Sequence, residues 1–116
     1  MPLYLTQVAY TQEAWQALMN NPQDRMDIIT SAIQKLGGKV VSGYFAFGEY
    51  DVVATLDMPD NVAAAAIAIA FAGGGSCKSV KTSPLMTTAE ALDALKKAAG
   101  CGYRSVTAAA GAATAR

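Results

Sequence analysis

Tyr44, Tyr50 and Asp51 lie close together in one short stretch, Gly43-Tyr44-Phe45-Ala46-Phe47-Gly48-Glu49-Tyr50-Asp51-Val52-Val53. A carboxylate beside a phenol in a cavity suits proton transfer or polar ligand binding, because burial raises a carboxyl pKa toward neutrality. A plainer reading has Asp51 accept hydrogen bonds from turn amides, or pair with an Arg across a subunit boundary. That second reading is favoured, since structural pairs also perturb carboxylates. Glu49 reads as a solvated turn residue, and Tyr50 as a core ring with its hydroxyl at the rim. Arg25 and Lys39 are the available anion binders. Arg25 falls in the first turn of an expected helix, where free amides help hold a phosphate or carboxylate. The alternative, favoured, is a surface charge or a partner for Asp24 or Asp27.

What is missing narrows the chemistry further. The chain contains no His, the commonest general base and metal ligand, so a Ser-His or Cys-His nucleophile pair cannot be built. Cys77 and Cys101 share no metal or redox spacing. Cys77 reads as a small buried apolar residue, and Trp15 and Met19 as packing. Gly73-Gly74-Gly75 follows a helix and lacks the Lys-Ser/Thr of a phosphate loop. No catalytic residue, metal site or cofactor is therefore assigned. Nine basic and nine acidic residues cancel, which argues against a nucleic-acid partner and against an anionic membrane surface. The longest apolar run, Val62 to Ala72, falls short of the roughly 20 residues that span a bilayer. Met1-Pro2-Leu3-Tyr4 lacks the basic start and long apolar run of a signal peptide, so a cytoplasmic location is expected.

The elements that must position these residues follow from periodicity. Val40 to Met58 reads as two strands joined by a two-residue type II′ turn at Gly48-Glu49, with Phe47 opposite Tyr50. One face then holds Val41, Gly43, Phe45, Phe47, Tyr50, Val52, Ala54, Leu56 and Met58, and must meet helices. The other holds Val40, Tyr44, Ala46, Asp51 and Val53. Leu3 to Tyr10 is apolar on both sides and reads as a central strand. Thr11 or Gln12 opens a short helical turn. Asn21 as cap and Pro22 as first residue start the next helix, whose stripe is Met26, Ile29, Ile33 and Leu36. Gly37-Gly38 ends it through a left-handed cap. Asp60 caps a helix from Asn61 to Ala72 that is apolar nearly all round. Ser76 to Ser83 is an edge strand marked by Lys78 and Lys81. Thr87 and Glu90 form a capping box that opens a last helix, ended by Gly100. Residues 1–100 thus form one α+β domain, and 101–116 an Ala/Gly/Thr-rich tail, read as loose.

Strand, helix, strand, strand, helix, strand and a further helix is the ferredoxin-like βαββαβ arrangement with an added C-terminal helix. Its four-stranded antiparallel sheet carries helices on one face. The other face is too apolar to stay in water, and 24 alanines offer further surface for close approach. A homo-oligomer of the dimeric α+β barrel type is expected.

The run Gly48-Glu49-Tyr50-Asp51-Val52-Val53, preceded by Gly37-Gly38-Lys39 and followed by Met58-Pro59-Asp60, resembles the GYD domain family. The similarity runs from about Leu3 to about Ala99. It implies a small ferredoxin-like domain of a family largely without assigned function. Asn21-Pro22-Gln23-Asp24-Arg25 stands where such proteins tend to carry Ser-Pro-x-Arg, and Lys78-Ser79-Val80-Lys81-Thr82 departs from their usual last strand. Three functions remain in play. The first is a homo-oligomeric small-ligand-binding or interaction module without catalysis, its candidates Tyr44, Asp51, Tyr50, Arg25 and Lys39. The second is a small monooxygenase- or isomerase-like enzyme enclosing an apolar molecule between sheet and helices, with Tyr44, Asp51 and Trp15 lining its pocket. The third is a structural ring or shell protein.

Overall fold

A computed structural model describes residues 2–106. Four antiparallel strands form one sheet: β1 (Leu3–Tyr10), β2 (Lys39–Phe45), β3 (Val52–Asp57) and β4 (Cys77–Pro84), in the order β2-β3-β1-β4. Among the described residues four helices accompany the sheet: α1 (Gln12–Asn20), α2 (Met26–Lys35), α3 (Asn61–Gly73) and α4 (Thr88–Ala99). This is the ferredoxin-like α+β layout, with the first helix divided in two. Of the described residues, those up to Leu85 form one compact unit and those from Met86 a second. No helix among the described residues is long and apolar enough to cross a membrane.

Burial alternates along β1 and β3 because one side of each meets the helices. Tyr4, Thr6, Val8 and Tyr10 face that way from β1, and Val52, Ala54 and Leu56 from β3. Ile33 of α2, Ile67 of α3, Leu56 and Met58 are the largest fully buried side chains and hold the two layers together. A second, smaller cluster joins Val8, Tyr10 and Val52 to Ala14 and Leu18 of α1.

The helix ends follow local chemistry. Thr11 caps α1 by accepting from the Ala14 amide at 3.1 Å. Asp60 caps α3 through the Ala63 amide at 2.9 Å. In α4, the Glu90 amide donates to the Thr87 hydroxyl and the Thr87 amide to the Glu90 carboxylate, at 3.1 and 2.8 Å, the reciprocal box read from the sequence. Gly37, at φ +86°, closes α2: its amide reaches Gln34 and the Gly38 amide reaches Ile33. Gly38 is required for a different reason. A β-carbon there would lie 2.5 Å from the Met58 sulfur and 2.7 Å from the Asp57 carbonyl.

Three sequence expectations need correction. α2 does not start at Asn21-Pro22. The Asn21 amide closes α1 by donating to Ala17, and α2 begins at Met26, whose amide donates to the Asp24 carboxylate at 2.9 Å. The β2–β3 connection is also longer than two residues. The last rung is Phe45 opposite Val52, the Ala46 amide donates to the Asp51 carbonyl, and Phe47 to Tyr50 form the loop. Finally, β2 carries an extra residue between Val40 and Ser42. Such a bulge reverses the alternation beyond it. Val40 therefore sits opposite Leu56 and packs against the core, while Val41 is exposed. The face away from α1–α3 keeps Tyr44 and Val53 but loses Val40. The loose tail expected over 101–116 lies, from residue 107 on, outside the described residues.

Candidate functional site

Between the sheet and helices α2 and α3 lies a cavity of about 170 Å³. It exists because small residues stand where large ones would close it: Ala54 on β3, Ala70 and Gly74 at the end of α3. At Gly43 on β2 the space over the strand is filled by Met26 instead; a β-carbon there would lie 2.4 Å from the Met26 methyl. Val8, Val52, Leu56, Ile29 and Phe71 supply apolar walls. The deep end is formed by Thr6, Ala54 and Leu56, all at least nineteen-twentieths buried, since their exposures are 3, 5 and 2%. Half-buried Arg25 and exposed Gly74 and Ser76 mark the mouth.

Five polar side chains line this space, those of Thr6, Tyr10, Arg25, Ser76 and Cys77. Thr6 contributes a hydroxyl that is buried and has no hydrogen-bond partner. It stands directly opposite Thr82 on β4, whose hydroxyl is likewise buried without a partner. A buried hydroxyl left unpaired costs about 1–3 kcal/mol. Tyr10 and Cys77 face each other across the last β1–β4 rung, at the mouth end. Burial pushes the Tyr10 hydroxyl above its ordinary range; the Arg25 charge opposes that shift, and Cys77 and Asp51 add to it. Burial likewise raises the Cys77 thiol, again opposed by Arg25. Both groups therefore stay protonated at neutral pH, as a hydrogen-bond donor and a thiol rather than a phenolate and a thiolate nucleophile. The Arg25 guanidinium acts electrostatically on both and makes no ion pair among the described residues.

Among the residues singled out from the sequence, Arg25 reaches this cavity. The amide that follows it does not join the anion site, because Asp24 already holds the Met26 N–H. Asp51 is used otherwise. Its carboxylate accepts the Tyr10 backbone N–H at 2.8 Å while its own amide donates to the Val8 carbonyl at 2.8 Å. The side chain thus supplies the acceptor that a further rung of β3 would have offered β1. Tyr44 is 70% exposed on the face away from α1–α3, opposite Val53. Tyr50, expected as a core ring, is instead half-buried in the loop and belongs to neither core cluster, and Phe47, expected on the same helix-facing side, is fully exposed, because the longer loop carries both beyond the last rung. Lys39 stands opposite Asp57, one of whose carboxylate oxygens is buried without a partner. Trp15 packs edge-on against Tyr10, ring centroids 5.3 Å apart.

The sequence reading passes over Thr6 and Tyr10 as site residues and takes Cys77 only as a small buried apolar one. The period-2 pattern places Thr6 and Tyr10 on one side of a central strand, and a Thr on that side was the available signal. The pattern of β1 does not say which side meets the helices.

A family model described as GYD domain matches residues 4–95. The chain belongs to the GYD domain family. No curated protein and no solved structure matches it significantly. The match spans all four strands of this GYD domain and reaches into α4. It therefore covers every residue that lines the cavity.

Proposed function

We propose that this GYD domain is a homo-oligomeric module that binds a small molecule and performs no reaction on it. The observation that carries the reading is the cavity beneath α2 and α3, apolar-walled and holding a buried hydroxyl without a hydrogen-bond partner among the described residues. Ligand sites of this kind combine an apolar enclosure with a few converging polar groups. Tyr10 and Cys77, both held protonated, offer no nucleophile, and the chain has no His to activate one. Self-association is supported by the β2–β3 hairpin, where Val41, Tyr44, Phe45 and Phe47 are 54, 70, 51 and 100% exposed. Four large apolar side chains in seven residues are costly to leave in water.

Native mass spectrometry of the protein purified from its own cells tests both parts. The expected spectrum shows a multiple of the chain mass together with a small-molecule mass that denaturation removes. A bare monomer at micromolar concentration overturns the reading. The cavity's position between sheet and helices would also suit an enzyme acting on an apolar molecule. Recovery of the carried molecule unchanged after prolonged incubation with the protein speaks against that second reading, and its conversion would replace the first.

A further inference from the structure

The two ends of the cavity differ in chemistry. At the mouth stands a guanidinium with no ion-pair partner among the described residues. At the deep end stands the Thr6 hydroxyl, 3% exposed and unpartnered. Between them the walls are Val8, Val52, Ala54 and Phe71, with no charged side chain. Thr6 and the mouth residue Tyr10 are four positions apart on β1, so their backbones are separated by roughly 13 Å at about 3.3 Å per residue. A single ring with a polar group at each end fits within that span. The volume agrees: an apolar protein cavity of roughly 150 Å³ holds one benzene, and this one measures about 170 Å³.

Building on the ligand-binding reading above, we propose that the ligand is a monocarboxylic acid with a one-ring-sized apolar body and a hydrogen-bonding group at its far end. The carboxylate meets the Arg25 guanidinium at the mouth. The far hydroxyl or carbonyl meets Thr6. The ring or branched chain fills the space between the sheet and α3. Arg25 suits a carboxylate because its planar fork offers two parallel donors. A phosphate ester would bring a second negative charge beside Asp24 and Asp27, with the adjacent Met26 amide already taken. A neutral hydrocarbon would leave both polar ends unsatisfied.

The test is a titration of the full-length protein with four probes, followed by amide chemical shifts: 4-hydroxybenzoate, benzoate, phenol and toluene. The expected order is 4-hydroxybenzoate first, benzoate second, and phenol and toluene weakest, with shifts centred on β1, β3 and the start of α2. Arg25→Gln is expected to weaken both acids about tenfold or more and leave phenol unchanged, in keeping with the strength of hydrogen bonds to charged groups. Thr6→Val is expected to erase the preference for 4-hydroxybenzoate over benzoate, while Thr6→Ser retains it and controls for a folding defect. If toluene and phenol bind as well as the acids and Arg25→Gln changes nothing, the proposed class is overturned while the ligand-binding cavity stands. If none of the four shifts a cavity residue, the cavity reading falls with it. Acid binding that survives Arg25→Gln unweakened also overturns the assignment.

Discussion

The two sides of the sheet divide the labour unequally. Toward α1–α3, residues of modest chemical character do the demanding work: Ile33, Leu56, Met58 and Ile67 fill the core, while Thr6 and Tyr10 line the cavity. On the other side stand side chains that look more reactive, Tyr44, Lys39 and Asp57, yet they lie along strands with no described cavity beside them. Asp51 belongs to neither side. It lies in the plane of the sheet and completes the bonding of β1. A polar side chain acquires chemistry from enclosure, which strengthens its interactions, and not from its type. The difference teaches that the motif most visible in the sequence builds the sheet end that frames the cavity, while quieter residues line it.

Substitutions can break or sharpen this contrast. The largest effect is expected at the interface of the layers. Ile33→Ala should cost about 2–5 kcal/mol in urea unfolding, because the site is wholly enclosed and leaves a void. Tyr44→Ala on the opposite side should change the stability of the monomer by under about 0.5 kcal/mol, and reduce the assembly mass seen by light scattering. Equal costs at the two positions would erase the distinction between the sides.

Next in size is Asp51. Asp51→Ala leaves the buried Tyr10 amide without an acceptor and is expected to cost about 1–3 kcal/mol. Asp51→Asn retains an acceptor oxygen and should lose much less. A catalytic or ligand-binding carboxylate would erase that ranking in a binding assay, since Asn would then fail as badly as Ala.

Smaller still, and of opposite sign, is Thr6→Val. Replacing an unpartnered buried hydroxyl by a methyl group of the same shape should raise the ligand-free stability by about 1 kcal/mol. A gain in melting temperature together with lost selectivity among the probes would mark Thr6 as a residue kept for binding. A loss of stability would mean that its hydroxyl is satisfied in solution.

The smallest expected effect is alkaline. Burial pushes the pKa of both the Tyr10 hydroxyl and the Cys77 thiol up, so each ionises at higher pH in the native state. Once the pH passes the ordinary thiol value of 9.0, the unfolded chain gives up protons that the native state retains. The native state then binds more protons than the unfolded one, so stability falls as pH rises, and the stability that is whole below that value is lost above it. Melting temperatures taken upward from pH 9 should decline, and Cys77→Ala should flatten the first part of the decline. An unchanged slope in the variant would remove Cys77 from the account.

Much of this could be read from the order of residues. Local rules decided the elements, because caps and stops involve neighbours three or four positions away: Thr87 with Glu90, Asp60 with Ala63, Gly37 after Leu36. Alternation decided that β1 is central and which side of β3 meets the helices, since period-2 burial is written in side-chain type. The errors arose where distant partners compete. Asn21 was taken by the end of α1, so α2 started later; an extra residue in β2 moved Val40 to the core; the hairpin loop opened to four residues.

Short-range pattern along the chain is thus enough for the ferredoxin-like order of strands and helices and for the GYD family. Only the tertiary structure decided where enclosure falls. A cavity is the space left between residues far apart in the chain, here Thr6, Arg25, Ala54, Ala70 and Cys77. No local pattern records such a space, because it depends on how closely two layers approach and on where small side chains meet across the gap.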